Sequence, residues 1–162
     1  MIRIVIAEDQ ELLLGAIGSL LDLEDDMEVV GLASNGEEAV RLVHQMNPDV
    51  CIMDMEMPKK TGIEAAEELK QLECKVIILT TFARSGFYTR VIEAGIRGYL
   101  LKDSPSEELA VSIRSIMNGS RIYTPELIDH DERPDAPAPV TPIKSIKTYF
   151  STLKDKIKMP AG

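Results

Sequence analysis

Three carboxylates stand at the ends of short apolar segments in this sequence. Glu8 and Asp9 come directly after the segment 2–7, and Asp54 is the last residue of the segment 49–54. Short apolar segments are typical of buried strands, so the acids are expected at strand ends. Carboxylates that lie close together repel each other unless a cation joins them. Because oxygen ligands suit hard divalent ions, the three acids predict a Mg²⁺ site.

Two further polar groups take the same position in later segments. Thr80, followed by Thr81, ends the segment 75–81, and Lys102 ends the segment 97–102. A hydroxyl and an ammonium group can bind phosphoryl oxygens beside a metal ion. A carboxylate held between a metal and a lysine can act as a nucleophile and form an acyl phosphate. Thr81 is predicted to form a wall of the same pocket.

The elements that must position these residues alternate along the first 120 residues. The predicted strands are 2–7, 27–34, 49–54, 75–81 and 97–102, and the predicted helices are 10–24, 35–46, 61–72, 86–95 and 104–119. Repeated βα units predict an α/β fold of the flavodoxin-like class, with a doubly wound, five-stranded parallel sheet in the order 2-1-3-4-5. In that fold the site lies beyond the carboxyl ends of the strands, where the strand order reverses.

Capping residues support the helix boundaries. Asn35 is a predicted N-cap, and Thr61 with Glu64 has the spacing of a capping box. Gly95 and Gly119 stand where two helices are predicted to end.

Charge divides the chain into an acidic body and a basic end. The net charge is −9, and the acidic excess lies in residues 1–128, which argues against direct wrapping of nucleic acid. Residues 1–128 are expected to form one domain, 129–142 a proline-rich linker, and 143–162 a basic amphipathic tail with a short helix. Three interpretations of this tail stay open: a remnant without a selected role, a segment that contacts an acidic surface, or one that lies on a membrane.

Two features of composition bear on location. Cys51 and Cys74 lie in apolar segments without a metal-binding spacing and are predicted to be reduced core thiols. The sequence has no signal-peptide pattern and no apolar run long enough to span a bilayer. A cytoplasmic protein is therefore expected.

Four motifs carry a resemblance to a known family. They are AEDQ (7–10), DVCIMDMEMPKKTG (49–62), IILTTFA (77–83) and EAGIRGYLLKDSPSEEL (93–109). In combination they resemble the response-regulator receiver domain of bacterial two-component signalling, and the last motif is typical of its NarL/FixJ-like subfamily. The resemblance covers residues 1–128.

The resemblance implies a chemical role for each acid. Asp54 would be the phosphoacceptor, with the phosphoryl group coming from a sensor histidine kinase. Glu8, Asp9 and Asp54, together with the backbone carbonyl of Glu56, would hold Mg²⁺. Glu8 facing solvent, with Asp9 alone on the metal, is an open alternative.

The resemblance also implies a switch. Thr80 would be the switch hydroxyl, Lys102 the phosphate-binding lysine and Tyr99 the switch aromatic, although a simple core role for Tyr99 is an open alternative. Pro58 and Gly62 would shape the loop after the acceptor.

Phosphorylation is expected to drive homodimerisation through helices 1 and 5, at about 10–23 and 105–118. Full-length relatives in the subfamily regulate transcription, and the resemblance extends to regulators of membrane-lipid desaturation genes. Residues 129–162 contain no helix-turn-helix motif, so specific DNA binding by this chain is not expected.

Two other functions remain to be weighed. Glu56 stands two residues after Asp54, an arrangement similar to that of haloacid-dehalogenase-type phosphatases, which also use Mg²⁺. A receiver acting alone, as a phosphate sink or interaction module, is the second. The receiver interpretation predicts that the chain catalyses only its own phosphorylation and dephosphorylation, and is otherwise not an enzyme.

Overall fold

The computed structural model describes residues 1–81, 86–102, 106–125 and 127. Its strands are β1 Ile2–Ala7, β2 Met27–Ala33, β3 Val50–Asp54, β4 Lys75–Thr80, β5 Gly98–Leu101 and β6 Ile122–Tyr123. Its helices are α1 Glu11–Asp22, α2 Gly36–Met46, α3 Gly62–Leu69, α4 Tyr88–Glu93 and α5 Ser106–Met117. The strands form one sheet in the order β2-β1-β3-β4-β5-β6, and all neighbouring pairs are parallel. The predicted α/β fold and the order of its first five strands are confirmed.

The predicted number of strands is wrong by one. β6 pairs with β5 through Gly98 opposite Ile122 and Tyr99 opposite Tyr123. The Tyr123 hydroxyl also donates a hydrogen bond to the Ile96 carbonyl at 2.8 Å. A two-residue strand is too short to show any alternation of apolar and polar residues, so the sequence gives no periodic signal for it.

The two faces of the sheet bury separate apolar cores because successive strand side chains point to opposite sides. Ile4 and Ile6 of β1 pack with residues of α1 and α5, such as Ile17 and Ile113. The alternate residues of β1 pack with α2, α3 and α4. Each buried side chain of this size contributes roughly 1.5–3 kcal/mol, so both faces stabilise the sheet that supports the site.

The predicted helix signals appear as local contacts. The Asn35 side chain accepts a hydrogen bond from the Glu38 backbone N–H at 2.8 Å. Thr61 and Glu64 form both hydrogen bonds of the capping box. Gly95 and Gly119 follow α4 and α5 with φ of 75° and 100°, in the left-handed region that glycine adopts without strain. These caps lie within about two residues of the four helix ends that they mark. The helix predicted for 61–72 ends earlier, at Leu69.

The register of the sheet aligns the strand ends. Ala7 lies opposite Met53, so the residues after them, Glu8 and Asp54, leave the sheet side by side. On the other side of β4, Thr80 lies opposite Leu101.

Several predictions concern residues outside the described part of the chain. The linker 129–142 and the tail 143–162 both lie there.

Cys51 is buried, Cys74 is partly buried, and neither forms a disulfide. Within the described ranges, none of the helices combines the length and the apolar character needed to cross a membrane.

Candidate functional site

The acids at the ends of β1 and β3 meet at the carboxyl edge of the sheet. Glu8, Asp9 and Asp54 each offer a carboxylate oxygen, and these oxygens lie within 4.8 Å of one another. Glu8 is only 2% exposed, whereas Asp9 is exposed to solvent. The Asp54 side chain is 12% exposed, so it is mostly but not completely buried. The structure therefore brings Asp54 next to Glu8 and Asp9, which are neighbours in sequence but lie 45 or more positions before it.

Lys102 joins this cluster from the end of β5. Its Nζ lies 2.6 Å from Glu8 Oε1 and 3.2 Å from Asp54 Oδ2. Its backbone N–H donates to the Thr80 carbonyl at 2.7 Å, which fixes the point where the side chain leaves the sheet. The sequence placed an ammonium group near the acids but did not predict its contact with Glu8.

Burial governs the protonation of the two inner acids. It raises the pKa of Glu8, and the hydrogen bond from Lys102 only partly offsets this effect. Burial also raises the pKa of Asp54, again against the nearby Lys102 charge. A buried carboxylate with raised pKa is short of compensating positive charge. The pocket is therefore suited to binding a further cation.

Backbone groups hold Glu8 in place. The Gln10 N–H donates to Glu8 Oε2 at 3.0 Å, and the Glu8 N–H donates to the Ala33 carbonyl at 3.0 Å. Glu8 is buried and does not face solvent, whereas Asp9 is the exposed member of the pair. Residue types alone could not reveal this, since the contacts that orient the Glu8 carboxylate come from the Gln10 main chain and from Lys102, 94 positions away. Whether Asp9 alone would hold the metal stays a prediction.

The loop between β3 and α3 packs closely against the acceptor. The Gly62 N–H donates to the Met55 carbonyl at 2.9 Å. A Cβ on Gly62 would lie 2.5 Å from the Asp54 carbonyl oxygen, so this position requires glycine. Pro58 and the Glu56 side chain are exposed in the same loop. The roles of Pro58 and of the Glu56 carbonyl stay predictions.

The residues predicted to form the switch are buried in β4 and β5. Thr80 is 4% exposed at the end of β4, and Tyr99 is fully buried in β5. Tyr99 shares a core with Tyr88 and Tyr123, whose rings meet edge to face with centroids 6.2 Å apart. This burial is compatible with both the core and the switch interpretation of Tyr99. Thr81 is exposed one residue beyond β4, and its place in the pocket stays a prediction.

Comparison with protein families gives a match over most of the described chain. The response regulator receiver domain matches residues 4–114. The transcriptional regulatory protein DesR of Bacillus subtilis is 69% identical over 129 residues, which make up 80% of this chain and 65% of DesR. The response regulator protein VraR of Staphylococcus aureus is 31% identical over 78% of this chain and 62% of its own length. The chain thus spans less than two thirds of either relative.

Solved structures show the same fold. A receiver domain of the putative response regulator NarL from Mycobacterium tuberculosis superposes with a TM-score of 0.70 and 27% identity, over 73% of this chain and 97% of that domain. A DNA-binding response regulator of the LuxR family from Staphylococcus aureus gives a TM-score of 0.69 and 38% identity, over 73% of this chain and all of the other.

Proposed function

The chain belongs to the response regulator receiver family, and from this premise we propose that Asp54 accepts a phosphoryl group from a sensor histidine kinase. The observation that carries the proposal is the near-buried Asp54 carboxylate, 3.2 Å from Lys102 and grouped with two other acids. An Asp54 oxygen attacks the phosphorus of a phosphohistidine. The phosphorus–nitrogen bond breaks, and the imidazole leaves with its electron pair and takes a proton.

Receiver domains generally bind Mg²⁺ at an acidic pocket, and the residues of this chain fit such an ion. The three carboxylates offer oxygen donors within 4.8 Å of one another, and burial leaves Glu8 and Asp54 short of positive charge. We assign Glu8, Asp9, Asp54 and the backbone carbonyl of Glu56 as the groups that would hold it. When bound, the ion supplies positive charge against the negative charge that develops on the phosphoryl oxygens.

Lys102 and Thr80 are proposed to hold the transferred group. Lys102 Nζ already lies beside both Glu8 and Asp54. Once Asp54 carries a phosphoryl group, a rotation of the lysine side chain exchanges a carboxylate for a phosphoryl oxygen without loss of a charge-assisted hydrogen bond. The Thr80 hydroxyl binds another phosphoryl oxygen from the neighbouring strand end.

The output is proposed to be a change in assembly. Movement of Thr80 toward the phosphoryl group, with Tyr99 as the coupled aromatic, biases a two-state arrangement of α4 and β5. Receivers of this kind often dimerise, and we propose α1 and α5 as the surface. Exposed apolar side chains on these helices support it: Leu12 is 70% exposed and Val111 is 57% exposed.

The wider role follows the relatives. DesR is named a transcriptional regulatory protein, so we propose that phosphorylation of this receiver controls transcription in a longer protein. Desaturation genes as targets, a contact of the tail with an acidic or membrane surface, and the phosphate-sink alternative all stay predictions.

We also propose that the chain turns over no other substrate. The family comparisons give the haloacid-dehalogenase-type phosphatase no support.

The test is Asp54→Ala, incubated with acetyl phosphate and Mg²⁺ and analysed by intact-protein mass spectrometry. The wild type is expected to gain one phosphoryl group and the variant none. Asp25→Ala is the matched control, because Asp25 is an exposed acid in the turn before β2. A phosphoryl adduct that persists on Asp54→Ala would overturn the assignment.

A further inference from the structure

The end of β2 and the beginning of α2 contact the two segments that carry the inner acids of the site. On one side, the Ala33 carbonyl accepts the hydrogen bond from the Glu8 N–H at 3.0 Å. On the other side, Gly36, the first residue of α2, lies against Lys60 in the loop that follows Asp54. Residues 33–36 therefore stand between the strand that carries Glu8 and the loop that carries Glu56.

The contact between Gly36 and Lys60 leaves no room for a side chain. A Cβ on Gly36 would lie 2.6 Å from the Lys60 Cβ and 2.8 Å from the Lys60 carbonyl carbon, and closer still to its oxygen. Favourable carbon contacts lie at about 3.5–4.0 Å. Two of the three clashing atoms belong to the Lys60 main chain, so a rotamer change cannot relieve the overlap.

The loop transmits a displacement at Lys60 because its main chain is closed on itself. The Lys60 N–H donates to the Pro58 carbonyl at 2.7 Å, and the Gly62 N–H donates to the Met55 carbonyl at 2.9 Å. Lys59, between Pro58 and Lys60, has a φ of 70°, a conformation that is uncommon for residues with a side chain. A push on Lys60 therefore moves the segment that includes the Glu56 carbonyl.

We propose that Gly36 is a positioning residue. Because Gly36 has no side chain, α2 can pack directly against the loop after Asp54. This contact holds the loop where it and Glu8 can bind the same Mg²⁺ ion. The inference rests on the proposed function and deepens it. The sequence around Gly36 does not predict this contact, because Lys60 lies 24 positions further along the chain. The capping role of Asn35 does not predict it either.

The test compares Gly36→Ala with Gly15→Ala. Both substitutions replace a helical glycine by the better helix former, but a Cβ on Gly15 meets no atom within 4 Å. Mg²⁺ binding is measured by calorimetry on the unphosphorylated protein, and phosphorylation by acetyl phosphate is followed at saturating Mg²⁺. For Gly36→Ala we expect a Mg²⁺ dissociation constant raised about tenfold, because misplacement by about 1 Å has effects of this size or larger. Gly15→Ala should match the wild type.

A merely structural role for Gly36 would lower the unfolding temperature and leave the dissociation constant of the folded protein unchanged. That result would overturn the inference while the proposed function stands. Failure of the wild type itself to take up a phosphoryl group would instead overturn the proposed function.

If Gly36→Ala does not fold, the Mg²⁺ dissociation constant of Lys60→Gly tests the inference instead, and Lys59→Gly is the control. Lys60→Gly removes a side chain from the contact and loosens the loop, whereas Lys59 is exposed and already has a φ that suits glycine. A dissociation constant raised at least about threefold in Lys60→Gly alone supports the inference. A value equal to that of Lys59→Gly overturns it.

Discussion

Two clusters of charged side chains lie at opposite edges of the sheet, and they differ in how well positive charge compensates their carboxylates. The amino-edge cluster consists of Glu24, Asp26 and Arg114. Arg114 donates to Asp26 through two nitrogens at 2.8 and 2.7 Å and to Glu24 at 2.5 Å. These side chains are 38–47% exposed, and the hydrogen bond from Arg114 lowers the pKa of Asp26. Ionisation of Asp26 therefore favours the folded state.

The carboxyl-edge cluster consists of Glu8, Asp9, Asp54 and Lys102. Here one ammonium group faces three carboxylates, and two of these are nearly buried. Burial raises the pKa of Glu8 and of Asp54 in spite of Lys102. Ionisation at this edge therefore opposes folding until another cation arrives.

The same residue types thus serve structure at one edge and chemistry at the other. Acids with lowered pKa have found their partners within the chain, whereas acids with raised pKa at a sheet edge are incompletely compensated, which is common at functional sites. The sign of the shift, together with burial, distinguishes the two clusters better than the number of acids does.

The largest expected effect follows removal of the only cation described in the carboxyl-edge cluster. Lys102→Ala leaves Glu8 and Asp54 without a positive partner, and breaking such a nearly buried pair costs about 3 kcal/mol in the free energy of unfolding without Mg²⁺. We also expect the variant to lose the phosphorylation-dependent shift toward dimer, measured by light scattering with and without acetyl phosphate. It should still fold and can still accept phosphate slowly.

Lys70→Ala is the matched control, because Lys70 is exposed at the end of α3. If Lys102→Ala dimerises on phosphorylation as the wild type does, the proposed part of Lys102 in the switch is wrong.

A smaller change in the free energy of unfolding, of opposite sign, is expected for Asp54→Asn. The amide removes a carboxylate whose ionised form is disfavoured by burial, so the variant should be more stable than the wild type at neutral pH without Mg²⁺. The expected gain is on the order of 1 kcal/mol, the scale of one poorly compensated buried polar group. Urea unfolding measures it. Saturating Mg²⁺ should reduce the difference, since the ion stabilises the wild type by binding its folded state. A destabilised Asp54→Asn would contradict the account of this edge.

The smallest change in the free energy of unfolding is expected for Asp26→Asn, the same substitution at the amino edge of the sheet. The lowered pKa of Asp26 means that its ionised form stabilises the fold above the ordinary value of 3.8, and that this contribution disappears as pH falls through the lowered pKa. Asp26→Asn should therefore be slightly less stable than the wild type at neutral pH and equal to it in acid. Paired urea titrations at neutral and acidic pH check this. A stabilised Asp26→Asn at neutral pH would remove the contrast between the two edges.

Much of the fold was predictable because its determinants are local. The five apolar segments and the capping residues Asn35, Thr61 and Gly95 mark elements through periodicity and hydrogen bonds within a few residues. The position of Asp54 at a strand end was predictable for the same reason. β6 was not, since Ile122 and Tyr123 become a strand only by pairing with β5.

The site shows the same division between local and tertiary causes. Sequence alone determined which acids, hydroxyl and ammonium group gather at the carboxyl edge, because parallel strands all end there. Only the tertiary structure decided that Glu8 turns inward while Asp9 faces solvent, and that Lys102 reaches Glu8 across 94 positions of sequence. It also decided that Gly36 supports the loop at Lys60. The direction of a side chain at a strand end depends on main-chain groups and charges supplied by distant segments, and no local pattern encodes where those segments come to lie.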